Sequence, residues 1–267
     1  MLKFDMSDLY KGTGVSRGLD RGLLVYDDDV QLLEEGMGLG ACALQTGGRT
    51  YFASIKDIKM VGNLFDVKYS IDMKLELEIL RIKSQLITLA QEYLITNIYM
   101  RHAKRQEQLL KFGAVLRKLF NLKTCFVKVP SLGEVRIRYE LGNGDILVGL
   151  CCELEKIGGK LFVMNELGGS IFDKSIVNGK LSNAPSGWQK MKNPCKLYSS
   201  THSLSFSIDE RYVPDNVKSE LYWGREQVTN HCCWAGFEIE ILCESGKFNN
   251  YIYSITLKGD NEEVESL

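Results

Sequence analysis

The chain reads as a mainly β protein, with large antiparallel sheets in a sandwich or barrel-like body and one helical insertion over about residues 84–121. Three observations predict this. Apolar and polar residues alternate strictly through several segments, turn-forming residues separate those segments, and one basic stretch breaks both patterns.

The alternation is longest in VKYSIDMKLELEI, residues 67–79. Val67, Tyr69, Ile71, Met73, Leu75, Leu77 and Ile79 fall on one face, and Lys68, Ser70, Asp72, Lys74, Glu76 and Glu78 on the other. A period of two is that of a half-buried antiparallel strand; a helix would spread these residues around its cylinder. EVRIRYEL (134–141), HSLSFSI (202–208) and GFEIEILC (236–243) repeat the pattern. Shorter strands are expected at 22–26, 50–55, 125–129, 146–152, 160–164, 196–199 and 250–257. YDDDV, LGNGDI, VNGK, NAPSG and KGDN punctuate them with residues that favour tight turns. About a dozen strands so punctuated suit a sandwich or barrel.

The insertion, SQLITLAQEYLITNIYMRHAKRQEQLLKFGAVLRKLFN, has no alternation and many good helix formers, with Ser84 as a candidate N-cap. Leu86, Leu89, Ala90, Tyr93 and Leu94 share one helical face; Leu109, Phe112, Val115, Leu116 and Leu119 share another. The two faces are rotated relative to each other, which predicts a break within 101–108. The segment 81–128 holds 10 Lys/Arg against 2 Asp/Glu, while the flanks are acidic. Arg101, Lys104, Arg105, Lys111, Arg117 and Lys118 are its candidate contacts to a partner or to anionic lipid. A simpler role is to pack the apolar stripe over a sheet face. Net charge is −1 and no aromatic–basic interleaving lies on a strand, which argues against nucleic acid.

Domain organisation is open between one β-rich unit over 1–267 and two fused β units, 1–80 and 124–260. A hydrophobic fraction of 45% is enough for a real core. The N-terminal MLKFDMSDLYKG has acidic residues and no apolar run, so no secretory signal is expected. No stretch has the roughly 18 uncharged apolar residues of a membrane span. The expectation is a cytoplasmic chain with reduced thiols, in peripheral contact with a membrane at most. Cys151-Cys152 and Cys232-Cys233 are adjacent pairs; neighbours in a strand point to opposite faces, so neither suits a shared metal. Neither metal nor cofactor is expected.

Two motifs look functional and fail on context. Gly36, Gly38 and Gly40 form G-x-G-x-G, but another strand follows where a phosphate site needs a helix N-terminus. Small residues that let backbones approach closely explain the run better. GVSRG, residues 14–18, matches G-x-S-x-G without the strand before it and the helix after it.

The candidate site residues come from two stretches and one lone histidine. LYWGREQVTNHCCWAGFEI, residues 221–239, holds Trp223, Arg225, Glu226, His231 and Trp234, an aromatic and titratable mix that suits a small-molecule pocket. Asn165 and Glu166 follow an apolar strand, and His202 opens another. Trp223, Arg225, Trp234, Asn165 and His202 are candidate ligand contacts; Glu166, Glu226 and His231 are candidate acid–base groups. Three readings follow. The leading one is a binding protein holding an apolar or amphiphilic small molecule between its sheets, in a pocket lined by the apolar faces of 67–79 and 135–141. The second is an enzyme on a carbohydrate or lipid-like substrate. The third is a non-catalytic interaction protein that uses the basic segment.

Overall fold

The structure is a computed structural model. It describes residues 2–5, 22–28, 30–34, 37–79, 82–83, 86, 89–90, 115, 119, 122–155, 159–168, 171–185, 187–226, 232–241 and 246–259. The strands in chain order are β1 (Leu2–Asp5), β2 (Leu24–Asp27), β3 (Val30–Gln31), β4 (Gly38–Thr46), β5 (Arg49–Val61), β6 (Leu64–Ile79), β7 (Ile82–Lys83), β8 (Leu122–Lys128), β9 (Gly133–Leu141) and β10 (Asp145–Leu154). They continue as β11 (Gly159–Glu166), β12 (Lys174–Val177), β13 (Lys180–Asn183), β14 (Gly187–Met191), β15 (Cys195–Tyr198), β16 (His202–Ile208), β17 (Val217–Glu226), β18 (Cys232–Ile241) and β19 (Lys247–Gly259).

One antiparallel sheet runs β13-β12-β15-β16-β19-β10-β9-β6-β5-β4-β11-β18-β17-β14, with β7 and β8 also paired to β6. It folds over on itself. Phe237 of β18 lies 4.3 Å from Tyr253 and 6.3 Å from Tyr251 of β19, ring centre to ring centre, although seven steps of strand order separate the two strands. The fold line is at β5 and β6, the ninth and eighth of the fourteen strands in this order counted from the β13 end, close to its middle. Their ladder slips register between Phe52 and Ala53 and again between Ile55 and Asp57. An extra residue on one strand bends it and increases its twist, which is what a sheet needs to turn back. One layer therefore runs from β13 to β9 and the other from β4 to β14.

The core lies between these layers. The inward positions of β6 (Val67, Tyr69, Ile71) and β9 (Val135, Ile137, Tyr139) are fully buried with those of β10, β11, β16, β18 and β19. At Gly40 the layers approach closely. The Tyr139 hydroxyl donates to the Leu39 carbonyl at 3.2 Å, and a β-carbon on Gly40 would occupy the place of that hydroxyl. Gly40 also sits at φ +98°, where a side chain is strained. Gly40, within β4, is thus a close-approach position of the kind that the context of the run predicts.

The last strands of the two layers, β13 and β14, are joined by residues 184–186. Ala184 donates its N–H to Asp173 at 2.7 Å beside β12, and Arg225 of β17 donates to Pro185 at 2.9 Å. No ladder joins β13 to β14, so the body is an open sandwich rather than a closed barrel. The small sheet β1-β2-β3 touches both layers at one end. Leu23 exchanges backbone hydrogen bonds with Leu39 of β4 at 2.9 and 3.0 Å, and Asp27 meets His202 of β16.

The helical insertion expected over 84–121 is not shown as an element, although its five described positions have helical backbone. No α-helix is delimited among the described residues, and all but five positions of the segment lie outside them. Of those five, Leu86, Leu89, Val115 and Leu119 expose their side chains, so they give no sign of a stripe packed on the sheet. Arg101, Lys104, Arg105, Lys111, Arg117 and Lys118 lie outside the described residues.

Two predictions test this architecture. Phe237 packs at the centre of the interface between layers, so Phe237→Ala is expected to cost about 3–5 kcal/mol in urea unfolding. On the outer face of the fold line Arg136 grips Asp66 with two hydrogen bonds and holds its carboxyl below the ordinary 3.8. A carboxylate lowered in the folded state adds stability above 3.8 that is lost as pH falls through the lowered value. Asp66→Asn should therefore be less stable than the parent at neutral pH and equal to it in strong acid; parallel pH–stability curves would contradict this assignment.

Candidate functional site

The sheet divides the candidate residues between its faces. Along β17, Leu221 and Trp223 point into the core, and Trp223 is 0% exposed. Along β18, Trp234 pairs with Gly224 and points to the outer face, while Ala235 and Phe237 point inward. The two tryptophans of the 221–239 stretch are therefore on opposite sides of one sheet. Arg225 is exposed and pairs with Cys233 and Gly187. His231 lies outside the described residues.

Asn165 and Glu166 part in the same way. Asn165 follows Leu161 and Val163 on the inner face of β11, 0% exposed, and neither amide atom has a hydrogen-bond partner among the described residues. Glu166 follows Phe162 and Met164 on the outer face, in register with Trp234, and is also 0% exposed. That depth keeps its carboxylate from meeting a ligand at the surface. Glu226 ends β17 two residues beyond Gly224, which sets its α-carbon roughly 12 Å from that of Glu166 at standard strand spacings.

His202 belongs to a different place. Its Nε2 is 2.9 Å from Asp27 Oδ2 and its Nδ1 is 2.8 Å from Thr201 Oγ1, so it ties the small sheet to β16. The hydrogen bond to His202 lowers the Asp27 carboxyl below its ordinary value.

What the structure does assemble is the outer face of β11, β18, β17 and β14. Reading across the strands, one row is Lys160, Glu240, Lys218; the next is Phe162, Glu238, Glu220. Met164, Gly236, Tyr222 and Lys190 follow, then Glu166, Trp234, Gly224 and Trp188. A charged band thus borders an aromatic band. The glycines make the aromatic band possible. A β-carbon on Gly224 would collide with the Gly187 carbonyl and press on the Trp234 ring, and one on Gly236 would meet the Val163 carbonyl. In the space left, Trp188 stacks on Trp234 with ring centres 3.3 Å apart, meets Tyr222 edge-on at 6.0 Å, and approaches Phe162 at 6.3 Å.

In the charged band Lys160 donates to Glu238 at 2.6 Å, Lys190 to Glu220 at 2.5 Å, and the Tyr222 hydroxyl to Glu220 at 2.7 Å. The hydrogen bond from Lys190 is the main cause that lowers the Glu220 carboxyl; burial, then the bond to Glu220, raises the Tyr222 phenol. Lys160, Lys218, Glu220, Tyr222, Glu238 and Glu240 line a shallow groove of about 120 Å³. Glu240 keeps a carboxylate that no described residue engages, flanked by Lys160 and Lys218. Charged residues alternating along a strand in sequence signal only a solvated face; the groove arises from which strands become neighbours.

The two described cavities, this groove and a second on the other layer, both lie on outer faces. Val67, Tyr69, Ile71, Val135, Ile137 and Tyr139, the facing positions of β6 and β9, are packed to zero or near-zero exposure, which leaves an apolar ligand between the layers unsupported. Among the described residues no helix is long and apolar enough to cross a membrane, and no group of three His, Cys, Asp or Glu is placed to hold a metal.

No family model matches the chain, and no curated protein matches it. Among solved structures it is similar to a glycosyl hydrolase family 38 protein from Enterococcus faecalis, at 8% identity and a TM-score of 0.43, covering 91% of this chain and 29% of that one. It is also similar to an alpha-mannosidase from Enterococcus faecalis V583, at 9% identity and a TM-score of 0.44, covering 91% of this chain and 28% of that one. The chain thus spans under a third of either protein, and similarity at this level carries no weight for activity.

The glycine argument is testable by itself. Gly224→Val is expected to dislodge β14 and separate the stacked pair. The readout is loss of the coupled tryptophan signal in near-ultraviolet circular dichroism while the far-ultraviolet strand signal persists.

Proposed function

We propose that this protein binds carbohydrate on the outer face of β11, β18, β17 and β14. The observation that carries this reading is the groove's mixed lining. Two lysines and three glutamates stand beside half-buried aromatic rings. A ligand of strong charge of either sign would meet a like charge there. A neutral polyol suits both: its hydroxyls donate to carboxylates and accept from ammonium groups. The C–H faces of a sugar ring, polarised by the neighbouring oxygens, pack on aromatic rings; Tyr222 supplies one in the groove, and Trp188 lies beside it, ring centres 6.0 Å apart. Glu240, uncommitted between Lys160 and Lys218, is positioned to accept from one sugar hydroxyl while a lysine donates to its neighbour.

The reading is a binding function. Glu166 is too deeply buried to act on a bound sugar, so the acid–base pair that hydrolysis needs is not assigned on this face. Testing begins with a screen of neutral oligosaccharides followed by calorimetric titration of the best one. Trp188→Ala and Glu240→Gln are each expected to weaken binding at least about tenfold, one charge-assisted or stacking contact being worth that much, with an unchanged fold. A parent protein that binds no oligosaccharide, or variants that bind as it does, would sink the proposal.

A further inference from the structure

We infer that a second groove, on the outer face of β10, β19 and β16, is a binding site for a primary aliphatic amine. It lies on the opposite layer from the carbohydrate face and is independent of it. Its volume is about 340 Å³. Register builds it: Leu147 of β10 pairs with Ser254 of β19, and Ser254 with Ser207 of β16, so these three side chains form one row across the strands. In the adjoining row Gly149 pairs with Ile252. Nothing lies within 4 Å of where a Gly149 β-carbon would stand, so this row is open. The trough has small hydroxyl-bearing residues at its floor and Leu147 and Ile252 as apolar walls. Leu147 is 47% exposed, unusual for a leucine inside a ladder, and so presents its side chain to whatever enters.

Charge selects the occupant. Asp209 and Glu210 close the end of the trough, and neither lysine nor arginine lines it; on its other side Arg138 of β9, opposite Gly149, turns toward Asp66 at 3.7 Å, and Glu140 stands opposite Leu147. Arg211 does not offset both acids. Its guanidinium is turned onto Asp209, with Nε 2.9 Å from Oδ1 and Nη2 2.7 Å from Oδ2, and lies over the Tyr212 ring at 5.8 Å. Those hydrogen bonds lower the Asp209 carboxyl and spend its charge. The Glu210 carboxylate is left with no partner among the described residues. Ser207 and Ser254 hydroxyls are likewise uncommitted and can accept from an N–H. A carboxylate, two hydroxyl acceptors and two aliphatic walls match one ammonium end of a short aliphatic amine or diamine: three donors and a positive charge at that end, and methylenes for Leu147 and Ile252. This contrasts with the first groove, where lysines hold two of the three carboxylates.

The floor is rigid. Asn193 donates its amide N–H to the Ile208 carbonyl and accepts from the Ile208 N–H, at 2.9 and 2.8 Å, pinning the end of β16 where the groove begins. A site on paired strands loses little freedom when a ligand arrives.

The test uses the full chain and cadaverine as probe, with pentanediol as the uncharged analogue of the same length. Calorimetry is expected to show saturable cadaverine binding that weakens with added salt, and none for the diol. Glu210→Gln should weaken it at least about tenfold. Ser254→Trp, which fills the trough from an outward-facing position, should abolish it. Circular dichroism checks that both variants keep their strands; Glu210 is exposed and outside the sheet, so its variant folds even where the tryptophan is not tolerated. Cadaverine that binds no better than the diol, or binding that survives Glu210→Gln unchanged, overturns the inference.

Discussion

A sheet that buries one face against itself must bend, and the bend at β5 and β6 is the constraint on which everything else here depends. Backbone hydrogen bonds oppose a sharp fold, because each broken ladder pair leaves polar groups to satisfy. The two register slips in the β5–β6 ladder meet this by confining the distortion to single extra residues. Once the sheet has turned, close approach must be tolerated near the fold line, where the layers are nearest. Gly40 provides it and the Tyr139 hydroxyl fills the gap, giving the Leu39 carbonyl a buried partner. Burial drives that phenol far above its ordinary titration range, so it stays a neutral donor.

The same bend decides where function can reside. It commits the inner faces of the long strands to the core, where Phe237, Tyr251, Tyr253 and Trp223 are packed away from solvent. Recognition is left to the outer faces. There the two layers differ for a reason that lies in their pairings. On the β4 to β14 layer, lysines and glutamates from neighbouring strands fall opposite one another and largely neutralise. On the other layer small and apolar residues fall opposite one another across β10, β19 and β16, with Glu140 and Arg138 of β9 on one side and the acids that follow β16 on the other.

Much of the fold was legible where one face was wet. β6, β9, β16 and β18 alternate because solvent demands polar residues at every second position, and those strands stand where the alternation puts them. β4 was not legible as alternation, because GLGACAL is buried on both faces and small residues replace the polar half of the pattern. Even β6 misleads in part: Ser70, Asp72 and Lys74, read as a wet face, are buried, with Ser54 donating to Asp72 at 2.7 Å. The candidate site was less legible still. Trp223 and Trp234 are close in sequence and read as one cluster, yet the β17–β18 hairpin places them on opposite faces. Trp188, which completes the aromatic band, lies 46 residues before Trp234 on an edge strand too short to show a period. Nothing local announces that the two rings stack.

What joins backbone to chemistry in this molecule is the absence of side chains at chosen rungs. Gly224 and Gly236 weaken their strands, since glycine loses more freedom on folding and packs nothing. Their neighbours return the loss through the stacked rings that occupy the vacated surface. In both grooves the ladder fixes the spacing of the polar groups, and ion pairs hold Glu238 and Glu220 in one and Asp209 in the other. One carboxylate in each, Glu240 on one layer and Glu210 on the other, has no such partner among the described residues. Pre-paired groups make a rigid frame but have little left to offer a ligand. Affinity on either face therefore has to come from the uncommitted carboxylate and the surface beside it, which is aromatic in one groove and aliphatic in the other.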